Sequence, residues 1–264
     1  MRVQKILGAS AMSSLAATEA GEDRFFQRAA LWVAVITVVG FGLNIVMGRS
    51  SFDAPPLVHA HAVVFMGWVV IFVTQSVLAT TGRIALHRRL GWLAAGWTLL
   101  MIGLGCAVTV AMVQRGGVPF FFQPLHFLVF DPLSVIAFAG LTWAAIAMRA
   151  RTDWHRRLHL CATALLLGPA LGRILPLPLF IPYAFEAAFL GCMVFILASV
   201  LIDRRRLGFV HPAWTWGVAA MLASLVVTEA LSYSPAGLAL YEAVARGTPG
   251  ATVAPLAFPA PPGV

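Results

Sequence analysis

Residues 58–80, VHAHAVVFMGWVVIFVTQSVLAT, and residues 91–113, GWLAAGWTLLMIGLGCAVTVAMV, flank a short basic segment, TGRIALHRRL, at residues 81–90. Neither flank contains Asp, Glu, Lys or Arg. A helix rises about 1.5 Å per residue and the hydrocarbon core of a bilayer is about 30 Å thick, so about 20 apolar residues cross it. This stretch therefore predicts two transmembrane helices joined by a basic turn.

The rest of the chain has the same character. Of its 264 residues, 60% are hydrophobic and 11% are charged, whereas about a quarter of the residues in a soluble domain are charged. Seven stretches are long and apolar enough to cross a bilayer, so the sequence predicts an all-α integral membrane protein with seven transmembrane helices. The predicted spans are residues 29–47, 58–80, 91–113, 132–148, 158–175, 181–202 and 213–231.

Two terminal segments lie outside the predicted transmembrane domain, residues 29–231. Residues 1–28 mix basic ends with an acidic group and are interpreted as a cytoplasmic arm. Residues 232–264 are interpreted as an extracytoplasmic short helix and a tail. Because residues 248–264 are rich in Pro, Gly and Ala and have no helical period, the tail is predicted to be disordered.

Arginines set the predicted orientation. The connections after the second, fourth and sixth spans carry ten arginines and two acidic residues. Short cytoplasmic loops retain positive charge, so we expect a bacterial inner-membrane protein with its N-terminus in the cytoplasm and its C-terminus in the periplasm. The basic clusters predict contacts with anionic lipid headgroups. A nucleic-acid partner is excluded, because the sequence has no continuous basic stripe on a soluble face.

An internal repeat relates the predicted hairpins. His59 stands 28 residues before His87, and His126 stands 29 residues before His155. Each second histidine is followed by Arg-Arg-Leu, and a third, degenerate copy lies at residues 203–212. The chain is therefore interpreted as one leading helix and three related hairpins, each turning on a basic cytoplasmic segment.

Three histidines, His59, His61 and His126, fall at the predicted outer interface. Neutral imidazole ligates metals and haem, so these residues predict a site for a transition-metal ion or one haem, with Asp131 as a further metal ligand. The site requires an extended chain at His59 and His61, which the Pro-Pro pair just before them favours. In a helix, two residues two positions apart project about 200° away from each other and could not share an ion.

Three charged residues near or inside the spans have structural alternatives. Asp131-Pro132 fits a helix N-cap followed by proline at the first helical position, and this interpretation is favoured over metal ligation. Arg173 and Glu186 lie inside predicted spans, where a charge is unfavourable unless it is paired or functional. A pair between them would neutralise both, and the alternative is that Glu186 binds a proton or a cation.

Four further histidines, His87, His155, His159 and His211, fall at the predicted inner interface. His155 and His159 are four residues apart and share one face of a helix. Arginines next to His87 and His155 disfavour a bound cation and favour an anion, so these positions predict contact with a phosphate or a lipid headgroup. A purely topological role of the arginines is the alternative.

Several functional classes are excluded or weakened. The only lysine, Lys5, precedes the first span, so a retinal Schiff base inside the bundle is excluded. GxSxG, HExxH and P-loop motifs are absent from the sequence, which favours a non-enzymatic protein. Cys106, Cys161 and Cys192 have no paired or CxxC spacing and are interpreted as packing residues.

Four motifs carry a family resemblance: HAH at residues 59–61, GRIALHRRLG at 82–91, HRRL at 155–158 and RLGFVHPA at 206–213. Through them, residues 55–220 resemble an uncharacterised family of small bacterial multi-pass inner-membrane proteins. The resemblance implies the membrane fold and the importance of the histidine segments, and it implies no known activity.

These observations lead to three functional hypotheses. The first is an accessory or assembly factor of a membrane redox complex, which holds a metal ion or a haem on the outer histidines. The second is a carrier or channel for a small or anionic solute, which uses the inner basic segments and Glu186. The third is a structural subunit of a larger membrane protein complex.

Overall fold

The fold is known from a computed structural model that describes residues 2–50 and 53–261, with the side chains of residues 21–50 and 53–261. Residue 1 of the predicted arm and residues 262–264 of the predicted tail lie outside these ranges. The described chain is all-α, as predicted. Its helices are α1 (Arg2–Val46), α2 (Pro56–Thr80), α3 (Ile84–Gln114), α4 (Pro124–Ala147), α5 (Thr152–Leu165), α6 (Gly168–Ile174), α7 (Ala184–Leu207), α8 (Pro212–Ser232) and α9 (Pro235–Ala245), with 3₁₀ helices at Leu177–Phe180 and Pro249–Thr252.

Six helices are long and apolar enough to cross a membrane: the Gly21–Val46 part of α1, and α2, α3, α4, α7 and α8. Large apolar side chains point outward from them, and Trp32, Val63 and Trp216 are 60%, 69% and 67% exposed. An outer surface of this kind suits lipid, where helices also satisfy their own backbone polar groups. The fold is therefore that of a multi-pass helical membrane protein. The count of seven spans and the three-hairpin repeat stay predictions.

Two helices begin earlier than predicted. α3 begins at Ile84, so His87 lies in its first turn rather than in a loop. α4 begins at Pro124, and Pro132 lies inside it. A transmembrane helix tolerates an interior proline, and Pro124 already supplies the proline that is favoured at a helix start. The prediction that Asp131 caps a helix is therefore wrong.

The three basic connections meet at one end of the bundle, which we call the inner end. His87 of α3 lies beside His155 of α5, with ring centroids 6.2 Å apart, and His211 before α8 contacts Asp153 of α5 at 2.9 Å. The opposite, outer end holds the beginning of α4 and the end of α8, which are joined by His126 and Glu229. Histidines that are far apart in sequence are thus sorted to the two ends, as the predicted topology requires.

The fifth predicted span, residues 158–175, is a broken helix. Pro169 has no N–H to donate to the carbonyl of Leu165, and α5 ends at that residue before α6 begins at Gly168. Arg157 of α5 pairs with Asp203 near the end of α7, whereas Leu177, just after α6, packs on Ala184 at the start of α7. The α5–α6 segment therefore runs from the inner end to the outer end, although neither helix is long enough to do so alone.

The segment after α9 is held against the outer end. The Tyr241 hydroxyl donates to the carbonyls of Gly250 and Val253, at 3.0 and 3.1 Å. The amide of Leu125, at the start of α4, donates to the carbonyl of Pro255 at 2.9 Å. Because these polar groups anchor the segment, the prediction of disorder for residues 248–264 is wrong over its described part, residues 248–261.

Gly40 of α1 provides a test of the packing of α1 on α6. A Cβ at Gly40 would collide with the backbone of Ala170, so Gly40→Ala should destabilise the bundle by about 1–3 kcal/mol. Gly42 faces open space, and Gly42→Ala should leave stability unchanged or raise it by up to about 1 kcal/mol. Unfolding in mixed micelles measures both; equal stability of the two variants would contradict this packing.

Candidate functional site

The described residues enclose a large cavity at the inner end, which we call the inner cavity. It has a volume of about 720 Å³ and is bounded by α2, α3, α4 and α5, with Phe26 of α1. Its wall is mainly apolar and aromatic. His87, His155 and His159 line it, together with Arg88, Arg149 and Arg156. A cleft of this size and composition is typical of a site for a small organic ligand.

The three cavity histidines form a continuous group. The rings of His155 and His159 have centroids 4.6 Å apart, and His87 lies next to His155. His87 and His155 each place Nδ1 on a backbone carbonyl of the preceding helix, that of Gln75 at 3.3 Å and that of Ala145 at 2.8 Å. Since a carbonyl only accepts, Nδ1 donates, and the neutral form of either ring keeps Nε2 as an acceptor.

The rim of the inner cavity is positively charged. Arg88 and Arg149 are exposed there, and neither forms an ion pair with a described residue. Arg156 is neutralised by Asp23 of α1, at 2.6 Å. The described residues that line the cavity include no aspartate or glutamate. The rim therefore favours an anion, in agreement with the prediction made for the inner histidines.

Four residues that line the inner cavity also carry buried polar atoms that lack a hydrogen-bond partner among the described residues. They are the indole nitrogen of Trp68, the side-chain oxygen of Gln75, the hydroxyl of Thr142 and Nδ1 of His159. A buried polar group without a partner is destabilising by about 1–3 kcal/mol, so such groups are rare in native proteins. Here their residues share the wall of one cavity, and the atoms themselves are covered by neighbouring groups.

A buried ion network lies behind the cavity. Arg157, which is 1% exposed, donates from Nε to Asp203 at 2.8 Å and from Nη1 to Glu22 at 3.1 Å. Trp214 also donates to Asp203, at 2.8 Å. These side chains belong to α5, α7, α1 and α8. The network therefore fixes how four helices meet and how the cavity wall on α5 is positioned.

His211 has a structural role. Its Nδ1 accepts a hydrogen bond from the amide of Ala213, which caps the start of α8. Its Nε2 therefore carries the proton and donates to Asp153 at 2.9 Å. Partial burial acts to raise the pKa of Asp153, but this hydrogen bond, a backbone hydrogen bond from Trp154 and the nearby Arg151 together hold the pKa below its usual range. His211 thus joins α8 to α5 and does not line the inner cavity.

At the outer end, His126 contacts an acidic residue, Glu229, and not the other outer histidines. Its Nε2 lies 3.0 Å from a carboxylate oxygen of Glu229, and its ring packs edge-on against Phe185. Glu186, the residue after Phe185, has one buried carboxylate oxygen without a partner among the described residues. The His126–Glu229 pair joins α4 to α8, and the contact of His126 with Phe185 adds α7.

Arg173 and Glu186 do not pair, so that prediction is wrong. Arg173 donates to the carbonyl of Pro169 at 2.7 Å and lies 4.2 Å from the ring centre of Phe41. Because α6 is short and separate from α5, the Arg173 side chain turns toward α1 instead of the start of α7. Asp131, inside α4, accepts a hydrogen bond from the Thr109 hydroxyl of α3.

The outer histidines are not assembled into one site. α2 begins at Pro56, so His59 and His61 are both helical and project about 200° apart. His61 stacks on Phe65, with ring centroids 4.1 Å apart, whereas His126 pairs with Glu229. Among the described residues, no three His, Cys, Asp or Glu side chains come together to hold a metal ion. The metal or haem site stays a prediction without support from this arrangement.

Several residues of these sites are not predicted from the sequence. Glu229 is a single acid inside the last predicted span and carried the same signal as Glu186. Arg157 and Asp203 look like ordinary members of basic connections, and their burial depends on the tertiary fold. The unpartnered atoms of Trp68 and Thr142 have no sequence signature.

Comparisons of the chain with known protein families, curated proteins and solved structures found no match. The resemblance to an uncharacterised family of bacterial membrane proteins stays a prediction.

The Arg157 network provides a stability test. Arg157→Met leaves the buried Asp203 and the partly buried Glu22 without their shared cation and should lower the free energy of unfolding by about 3–5 kcal/mol. Arg205, exposed on α7, is the matched control, and Arg205→Met should change stability by less than about 0.5 kcal/mol. Unfolding in mixed micelles measures both variants. Wild-type stability of Arg157→Met would show that the network does not hold the bundle together.

Proposed function

We propose that the protein is a non-enzymatic membrane carrier for an anionic amphipathic molecule, which it takes up in the inner cavity. The observation that carries this proposal is a cavity of about 720 Å³ with an apolar wall and a basic rim. An apolar wall accommodates a hydrocarbon or aromatic body, and the rim accommodates an anionic group such as a phosphate. The proposal develops the hypothesis of a carrier for an anionic solute.

The position of the arginines supports an anionic group at the rim. Arg88 and Arg149 are exposed and have no acidic partner among the described residues, so a bound anion meets two free cations. The guanidinium group forms charge-assisted, two-pronged hydrogen bonds with phosphate and carboxylate oxygens. A neutral molecule of the same shape gains none of these contacts.

Ionisable residues in the outer half of the bundle support movement across the membrane. Charged side chains inside transmembrane segments are rare, and they commonly mark transport pathways. Asp131, Glu186 and Glu229 lie on α4, α7 and α8, and each lies toward the outer end. We propose that these three residues line the route that the ligand follows from the inner cavity to the outer end. The break between α5 and α6 provides a joint beside this path.

The proposal includes the topology. We infer seven crossings, the six long helices and the broken α5–α6 segment, with the basic inner end in the cytoplasm. The N-terminus is then cytoplasmic and the C-terminal segment lies outside, in the bacterial inner membrane that the family resemblance implies. Anionic lipids are partners of the basic rim in this orientation.

A flux measurement tests the proposal. Proteoliposomes that contain the protein should take up a labelled monoalkyl phosphate, which is permanently charged, faster than protein-free vesicles do. Arg88→Gln combined with Arg149→Gln should weaken the apparent affinity about tenfold or more, since each arginine near an anionic group contributes about 1 kcal/mol. Equilibrium binding to the protein in nanodiscs measures the same loss.

Two controls give this test its specificity. Arg205→Gln changes an exposed arginine of the inner end that does not line the cavity, and it should leave affinity unchanged. The uncharged alkyl alcohol of the same length should bind more weakly than the phosphate. Flux at the protein-free rate, or equal affinity for the alcohol and the phosphate, would contradict the proposal.

A further inference from the structure

A second concave feature lies between α1 and α7, and we call it the α1–α7 groove. Its volume is about 650 Å³. α1 lines the groove with residues four positions apart, which share one face of a helix: Arg24, Arg28, Trp32 and Ile36. α7 lines it with residues between Phe195 and Arg206. The groove shares no described lining residue with the inner cavity, so it is a separate feature of the molecule.

The two walls of the groove are fixed by the helices that α1 and α7 both contact. At the inner end, the Arg157 network joins α1 and α7 to α5. Toward the outer end, α6 contacts both helices. Gly40 of α1 lies close to the backbone of Ala170, and a Cβ at Gly191 of α7 would lie 3.0 Å from the side chain of Leu171. The groove is therefore part of the packed structure.

Positive charge is concentrated at the inner end of the groove. Arg206 belongs to the last turn of α7 and lies 5.4 Å from the ring centre of Phe25 of α1. Arg24 and Arg28 are exposed, and Arg28 forms no ion pair with a described residue. The described lining of the groove includes no aspartate or glutamate. This end of the groove therefore favours an anionic group that reaches it from outside the bundle.

The rest of the groove is apolar and extends along one leaflet of the bilayer. Ile36 is twelve residues beyond Arg24 on α1, which is about 18 Å along the helix axis, and one leaflet of the hydrocarbon core is about 15 Å thick. The Ser199 hydroxyl donates to the carbonyl of Phe195 at 2.9 Å, so it requires no other partner. Trp32 is 60% exposed and Ile202 49%. The wall is therefore suited to an acyl chain.

We propose that the α1–α7 groove binds one anionic phospholipid from the leaflet at the inner end. The headgroup phosphate contacts Arg24 and Arg28, and an acyl chain lies along the apolar wall as far as Ile36. The bound lipid fills the gap between α1 and α7. This inference does not depend on the proposed function, because the lipid and the carrier ligand occupy different sites.

Charge and length together select this occupant. A zwitterionic lipid would bring its ammonium group close to arginines that have no acidic residue among the described groove lining. A free phosphate would match the arginines but would leave the apolar wall uncovered. An anionic phospholipid matches both parts of the groove, and the membrane supplies it directly to a surface that faces lipid.

Competition between two lipids tests the inference. The protein is placed in nanodiscs with equal amounts of phosphatidylglycerol and phosphatidylethanolamine of identical acyl chains. Native mass spectrometry then counts the lipids that stay bound after release from the nanodisc. Phosphatidylglycerol should be retained about tenfold or more over phosphatidylethanolamine. Arg24→Gln combined with Arg28→Gln should reduce this preference about tenfold, since each arginine near an anionic headgroup contributes about fivefold.

Arg204→Gln combined with Arg205→Gln is the matched control. It removes the same charge from exposed positions at the inner end of α7 that do not line the groove, and it should leave the lipid preference unchanged. Arg88→Gln combined with Arg149→Gln, which weakens the inner cavity, should also leave it unchanged. Thermal unfolding of each variant verifies that it is folded.

A substitution that fills the groove tests the position of the acyl chain. Ala198 is exposed and lines the groove, so Ala198→Trp should reduce retention of phosphatidylglycerol to the level of phosphatidylethanolamine while the arginines remain. Leu197, its exposed neighbour, does not line the groove, and Leu197→Trp should retain the preference.

Three results would overturn the inference. Equal retention of the two lipids by the wild-type protein would show that the groove does not select an anionic lipid, as would loss of both lipids because another protein covers the groove. An equal loss of preference in the Arg204 and Arg205 control would assign the effect to general positive charge. A preference that persists in folded Ala198→Trp would place the lipid outside the groove.

Discussion

Arg157 lies buried at the inner end of the bundle, and it has to be neutralised by carboxylates that come from other helices. Asp203 of α7 and Glu22 of α1 supply the charge, and Trp214 of α8 donates a second hydrogen bond to the Asp203 oxygen that Arg157 contacts. A buried ion left unpaired in a medium of low dielectric constant is strongly destabilising, so arrangements of these four helices that separate Arg157 from its carboxylates are disfavoured. The wall of the inner cavity on α5 follows from that arrangement.

The two ends of the bundle use their histidines differently. At the inner end, His155 lies between His87 and His159, and of the arginines around them Arg88 and Arg149 have no acidic partner among the described residues, so this cavity favours an anion. At the outer end, His126 lies against Glu229, beside a cluster of acids. A molecule with one anionic group is therefore complementary to the inner end only. The proposed carrier therefore takes up its anionic ligand at the inner end.

The sequence predicts the membrane fold because length and hydropathy determine which segments can lie in lipid. It also predicts that the basic segments meet at one end, since positive charge determines the side of the membrane. It does not predict helix ends near proline. Pro124 begins α4 and Pro132 is accommodated inside it, a choice that depends on packing with α3.

The candidate site is predicted in part. The spacing of His155 and His159, together with the adjacent arginines, indicates an anion-favouring group at the inner end. The outer histidines do not form one site. Because α2 is already helical at His59, the side chains of His59 and His61 project to different sides of that helix. The indole nitrogen of Trp68 and the hydroxyl of Thr142 are buried without a described partner only because of how the helices pack. No sequence pattern predicts this burial.

Photo-crosslinking with an anionic amphiphile tests the central claim most directly. The probe is an alkyl phosphate with a photoreactive group at mid-chain, applied to the wild-type protein in nanodiscs, and the labelled residues are mapped by mass spectrometry. We expect labels on cavity-facing residues between Trp68 and Thr80 of α2 and between Thr142 and Ile146 of α4, and loss of these labels when unlabelled alkyl phosphate competes. Labels confined to lipid-facing residues such as Trp32 and Trp216, or labels that do not respond to the competitor, would contradict a ligand site in the inner cavity.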